Sequence, residues 1–154
     1  MAGTIETNLI KMGLTLPDAP APAANYVPYV QSGNLVFISG QISRDDNGLI
    51  TGKLGAGMGL DAGQNAAKTC ALALIAQLKS ACGGDLDKVT RIVKLTGFVN
   101  ATPDFTDHPA VINGASDILA GVFGDAGHHA RAAVGVSSLP LGVAVEIEGV
   151  FEVA

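Results

Sequence analysis

The feature that most narrows what this chain can fold into is the stretch His129–Val153, reading HARAAVGVSSLPLGVAVEIEGVFEV. Ala132, Val134 and Val136 alternate with Arg131, Ala133 and Gly135. After a break at Leu139-Pro140-Leu141-Gly142, Val145, Ile147, Phe151 and Val153 alternate with Glu146, Glu148 and Glu152. Alternation with period two over this length predicts two strands joined by a turn, each with one buried face. Arg131 stands out within it. It is the only Lys or Arg after Lys94, while the same sixty residues carry seven Asp and Glu. A lone arginine at a strand start is either a solvated or ion-paired end, or a fixed guanidinium whose fork of donors matches a carboxylate or phosphate.

The rest of the chain supplies the partners for those strands. Residues 4–12 predict a short helix, with Thr4 as N-cap and Gly13 as its stop, followed at 16–24 by an extended Pro/Ala linker over the core surface. Residues 26–31 and 35–43 predict a hairpin around Ser32-Gly33-Asn34, and Asn47-Gly48 marks a second turn. Residues 51–60 are too glycine-rich for regular structure. A helix capped by Asp61 then places Ala67, Cys70, Ala71, Leu74, Leu78 and Ala81 on one face and ends at Gly83-Gly84. Val89–Asn100, rich in β-branched residues, predicts a strand. A second helix follows Asp107, with Pro109 in its first turn; Val111, Ala115, Ile118, Leu119 and Val122 line its apolar face up to Gly124.

The order ββαβαββ in 154 residues predicts one α+β domain, a mixed sheet with two helices on one face. No further layer remains to cover the second sheet face. Only 15% of residues are charged against 48% apolar, which suits a subunit that buries part of its outside in an oligomer. The net charge of −5 argues against a nucleic-acid footprint of basic patches. Cys70 and Cys82 match no metal spacing and point to a reducing compartment. No basic leader and no run of about 18 apolar residues is present, so a soluble cytoplasmic protein without membrane contact is expected.

Several familiar chemistries find no support. The loop Gly55–Gly59 precedes a helix, but Leu60 occupies the third glycine position of a dinucleotide fingerprint and the P-loop lysine is missing. His128 and His129 are adjacent, so in a strand their rings would point to opposite faces, and His108 lies at a helix start; they build no metal site. Cys70 falls on a buried helix face, where a thiol is normally inert. Among the glutamates, Glu148 and Glu152 read as a solvated face, whereas Glu146 comes first on its strand, near the turn and the Arg131 strand.

The C-terminal stretch, with its Arg, alternating Val, Leu-Pro turn and closing Val-Glu-Ile-Glu, resembles the signature of the reactive-intermediate deaminase family (RidA/YjgF, once labelled endoribonuclease L-PSP). The block Ala24–Gln41, ANYVPYVQSGNLVFISGQ, is similar to that family's first hairpin. The resemblance implies a chorismate-mutase-like α+β fold, assembled as a homotrimer whose sheets form a central barrel, with clefts between subunits. Residues 1–24 would be an extension belonging to a longer subgroup. The implied activity is hydrolysis of enamines and imines of 2-amino acids (2-aminoacrylate type) to 2-keto acids and ammonia, without metal or organic cofactor. Carried over by position, Arg131 would bind the substrate carboxylate and Glu146 would serve the reacting water. Tyr26, Ser39 and Asn113 would line the cleft with Ala133, which stands where the deaminases often have Cys or Thr. The stretch from Phe105 to Asn113 is longer than the family's usual one. A non-catalytic binder of keto or amino acids, using the same Arg131 cleft, is the second reading. Ribonuclease action is disfavoured by the acidic charge and the seven aromatic residues.

Overall fold

The structure, a computed structural model, describes residues 3–19 and 25–154; part of the expected Pro/Ala linker, residues 20–24, lies outside the described residues. Helices α1 (Thr4–Lys11), α2 (Leu60–Ala81) and α3 (His108–Phe123) accompany strands β1 (Tyr29–Ser32), β2 (Leu35–Ile42), β3 (Val89–Asn100), β4 (Ala130–Val136) and β5 (Val145–Val153). The five strands form one mixed sheet in the order β1-β2-β5-β3-β4. Every pairing is antiparallel except that of β3 with β4, which is parallel and bridged by α3 as its crossover helix. Two-residue ladders pair Arg44–Asp45 with Gly48–Leu49 and Lys53–Leu54 with Gly57–Met58, so the glycine-rich stretch is not wholly irregular.

The apolar sides of α2 and α3 meet one sheet face and make the core. Leu74, Ile75, Leu78, Ile112 and Leu119 lie fully buried against Ile92, Leu95, Ile147 and Phe151. The two helices cross at glycine: a Cβ on Gly114 would fall on the backbone carbonyl of Gln64 in α2. That close approach gives the Asn113-Gly114 pair inside α3 a packing reason, against the propensity cost of glycine in a helix.

Three expectations are corrected. Neither Thr4 nor Asp61 caps its helix; Gly3 and Gly59 hold those positions without side-chain caps. The first N–H groups of α1 are instead satisfied from a distance, Thr4 and Ile5 each donating to the Asp87 carboxylate at 3.0 Å. The first strand begins at Tyr29, leaving Tyr26 outside it. Most consequentially, β4 and β5 are not neighbours, because β3 lies between them.

The buried side of β4 is also not its valine side. Ala132 and Val134 are exposed, whereas Arg131 and Ala133 are half-buried beneath α3. Cross-strand pairs share a face, and Val134 aligns through Phe98 with Glu146. The face away from the helices therefore carries Val134, Phe98, Glu146 and Glu148 together with Phe37 and Val30. Of these, Val30, Phe37 and Val134 are 53%, 45% and 43% exposed, so an apolar sheet face lies open, as the element order predicts.

Candidate active site

The six candidate residues fall into two groups on opposite faces of the sheet. Arg131 is the second residue of β4, at the sheet edge. Its register partner Leu95 is fully buried under the helices, and the guanidinium extends along α3, donating from Nη1 to Ser116 Oγ (3.0 Å) and from Nη2 to the carbonyl of Pro109 (3.1 Å). Pro109, Asn113 and Ser116 occur at i, i+4 and i+7, one stripe of the helix. Asn113 thus lies on the same stripe as both partners of the guanidinium, and Ala133 follows Arg131 on the same face of β4.

The acceptor side of that arginine is fixed by a residue pair that sequence reasoning missed. His129 Nδ1 is 2.6 Å from the Gly127 carbonyl, which can only accept, so Nδ1 carries the proton. The neutral ring then presents Nε2 as an acceptor to Ser116 Oγ at 2.9 Å. Ser116 donates its one hydrogen there and turns a lone pair toward Arg131. Burial pushes the imidazole below its usual range; the Gly127 hydrogen bond opposes this, while Arg131 and His128 add to it. The order Arg131→Ser116→His129→Gly127 is therefore a one-way chain of donors. In the sequence its only trace is a histidine two residues before the arginine and a serine one helical turn after Asn113.

Two neutral oxygens thus hold Arg131. The ion pair among the described residues is Lys79 with Glu6, so Arg131 has no acidic partner. Three of its five N–H donors remain for a ligand.

The second group surrounds an irregularity in β2. Pairing with β5 shifts between Ile38 and Gln41, leaving Ser39 and Gly40 in a bulge, a device that re-aims side chains. The Ser39 hydroxyl donates to the Val27 carbonyl at 2.8 Å, and its N–H bonds to that of Pro28 at 2.9 Å. Together they tie the segment after Tyr26, itself 48% exposed, to the bulge. The carboxylate of Glu146 lies directly over Gly40, where a Cβ would collide with it. Gly40 is thus a second missed position, present in the sequence as the glycine of the Ser-Gly-Gln run. Partial burial, and then the charge of Glu148, raises the Glu146 carboxyl above its ordinary range.

Arg131 and Glu146 stand two strands and three residues apart, roughly 14 Å between Cα positions, and point away from each other. One chain cannot place both on a single small ligand. Cys70, on the buried face of α2 with its thiol toward the Val145 carbonyl at 3.5 Å, has its acidity suppressed by burial and takes no part. Among the described residues no group of three His, Cys, Asp or Glu is placed to hold a metal, and no helix is long and apolar enough to cross a membrane.

The architecture is a chorismate-mutase-like α+β fold. A family model described as "YjgF/chorismate mutase-like, putative endoribonuclease" matches residues 6–150, and the chain belongs to that YjgF/RidA family. Protein TCP17 of Trypanosoma cruzi is 49% identical over 153 residues, 98% of this chain and 95% of that one. A 2-iminobutanoate/2-iminopropanoate deaminase of Dermatophagoides farinae is 30% identical over 139 residues, 89% of this chain and 92% of its own. Among solved structures, the protein Atu1372 of Agrobacterium tumefaciens, of unknown function, matches with a TM-score of 0.91 at 45% identity, over 98% of this chain and 93% of its own. The family thus includes named imine deaminases.

Proposed function

We propose that this protein hydrolyses 2-imino acids and their enamines to 2-keto acids and ammonia, in a cleft that two copies of the chain complete. The observation that carries this reading is the state of Arg131, a half-buried guanidinium fixed by neutral acceptors, without a countercharge and with donors to spare. A substrate carboxylate would supply the missing charge, bound bidentately. Glu146, on the opposite face, would come from a neighbouring copy and order the water that adds to the C2=N bond. Water adds its oxygen to C2, protons move to nitrogen, and the tetrahedral intermediate collapses to ketone and ammonia. A carboxyl with a raised pKa suits this relay of protons. Since imines are reactive in themselves, positioning supplies much of the catalysis. Assembly as a homotrimer would cover the open apolar face around Val30, Phe37 and Val134. The test is ammonia release from 2-aminoacrylate and a bulkier imine generated in situ, with the uncatalysed rate subtracted. No acceleration by the purified protein refutes the reading.

One observation supports a second reading. The anchoring half, Arg131 with Asn113 and Ala133, is complete on one face of a single chain, so a non-catalytic binder of small keto or amino acids would need nothing from Glu146. Binding of a keto acid that depends on Arg131, with no ammonia released from any imine, selects it. Ribonuclease action, named in the family description, is disfavoured by the net charge of −5 and by Arg131 being the one Lys or Arg after Lys94.

The pH dependence discriminates further. Glu146 must be ionised to act as a base, and its pKa is raised, so kcat/KM falls as pH drops through a value above that of an ordinary glutamate. Glu148→Gln removes a negative charge that holds this pKa up, and the acid limb moves to lower pH. Rates measured across the acid range check both. An unmoved limb, or the same limb persisting in Glu146→Gln, would show that Glu146 is not the group titrating.

A further inference from the structure

We propose that a cavity at the other end of β4, centred on Lys53, is a second ligand site that takes a small carboxylate carrying an aromatic or other apolar body. The cavity encloses about 370 Å³ and is lined by Lys53, Pro103, Phe105, His108, Val136 and Ser137 among others. That volume lies within the roughly 300–1,000 Å³ usual for small-molecule pockets. It is separate from the Arg131 site. His108 lies over Gly135, and Gly135 is four residues along β4 from Arg131, about 13 Å.

Charge is the first argument. Lys53 Nζ donates to Asn100 Oδ1 and to the Ser137 carbonyl, both at 2.6 Å. Asn100 is buried, and its own amide donates to Val143 O at 3.1 Å, which fixes its oxygen toward the lysine. Two of the three ammonium donors are therefore engaged by neutral oxygens and one remains. The lysine is half-buried, no Asp or Glu lines the cavity, and the ion pair among the described residues lies elsewhere. A half-buried cation in a lining without carboxylates attracts an anionic ligand.

Shape is the second argument. Phe105 and His108 meet edge to face, with centroids 5.5 Å apart at 80°, and with Pro103 and Val136 they form a wall that inorganic anions cannot use. Phe105 lies just before α3 and His108 opens it. The wall shares no residue with the Arg131 and Glu146 groups, so the site does not rest on the deaminase reading.

Calorimetric titration of the full chain with benzoate, acetate and inorganic phosphate tests the proposal. Benzoate is expected to bind more tightly than acetate or phosphate. Lys53→Met should weaken it by roughly tenfold or more, the lower end for a charge-assisted hydrogen bond. Because Arg131 anchors a carboxylate in the other cleft, the titrations are repeated in Arg131→Ala, where the benzoate binding that remains should keep its dependence on Lys53. Phe105→Ala should remove the preference for benzoate over acetate, and it carries the test alone if Lys53→Met does not fold. In the Arg131→Ala background, benzoate binding that is absent, that survives Lys53→Met, or that shows no preference over acetate and phosphate overturns the proposal. Because imine turnover is read separately, loss of the deaminase reading leaves this result standing, and the reverse.

Discussion

Arg131→Ala is expected to keep its fold and lose roughly 10- to 150-fold in kcat/KM for 2-imino acids, the kinetic equivalent of about 1.5–3 kcal/mol for a hydrogen bond to a charged group. The fold should survive because Arg131 is at the sheet edge, only half-buried, and bonded to α3 through neutral acceptors. Removing it leaves Ser116 still bonded to His129 and buries no orphaned charge. The loss should appear in binding, since the carboxylate is present in the ground state as well as the transition state. Arg131→Lys should recover little of it: an ammonium keeps the charge but cannot span Ser116 and Pro109 while offering two parallel donors to a ligand. Steady-state kinetics, with circular dichroism for the fold, check both. A folded, fully active Arg131→Ala would remove the anchor from the mechanism.

A second expected result concerns two impaired proteins. Arg131→Ala and Glu146→Gln, each much reduced in kcat/KM alone, should regain activity at subsaturating substrate when unfolded together and refolded as a mixture. If one copy contributes Arg131 and its neighbour Glu146, random mixing in a closed ring leaves about a quarter of the clefts with both wild-type residues. Recovery to about that fraction of the wild-type kcat/KM is the expected outcome. A site within one chain allows none, because every chain in the mixture lacks one of the two. The prediction follows from the register, which sets Arg131 and Glu146 on opposite faces with β3 between their strands. Mixing the folded stocks without denaturation is the control, and light scattering on each stock reports the assembly size.

Much of the scaffold was legible in the sequence because it rests on periodicity. Strand β3 spans the expected Val89–Asn100. Five of the six residues given for the inner face of α2 are buried, Ala81 being half-buried, and all but Ile118 of those given for α3. The faces of β4 were not legible, for a steric reason. Helix α3 approaches its edge strand so closely that Ala133 fits beneath it, and the bulkier Val134 turns outward. Alternation therefore located a strand without telling which side was covered. Adjacency misled as well. The Leu-Pro-Leu-Gly break joins two strands consecutive in sequence, yet the chain passes β3 before pairing again. The candidate residues were named from the sequence only through their resemblance to a family, and their separation onto two faces of the sheet was not legible there. Nor was the Ser116–His129 support, whose members stand 13 residues apart and meet only because α3 folds back over β4.

At the crossing of α2 and α3 the spacing is set by backbone rather than by side chains, with Gly114 against Gln64. Position 114 works as a shim already at its thinnest, beneath the helix that carries Pro109, Asn113 and Ser116. Any other residue there can only raise α3, and with it the two oxygens that hold the Arg131 guanidinium in place. Sequence drift at this remote position is thus one-sided. It can loosen the arginine's seat but never tighten it, so the reach of the anchor is bounded by a contact that no ligand touches.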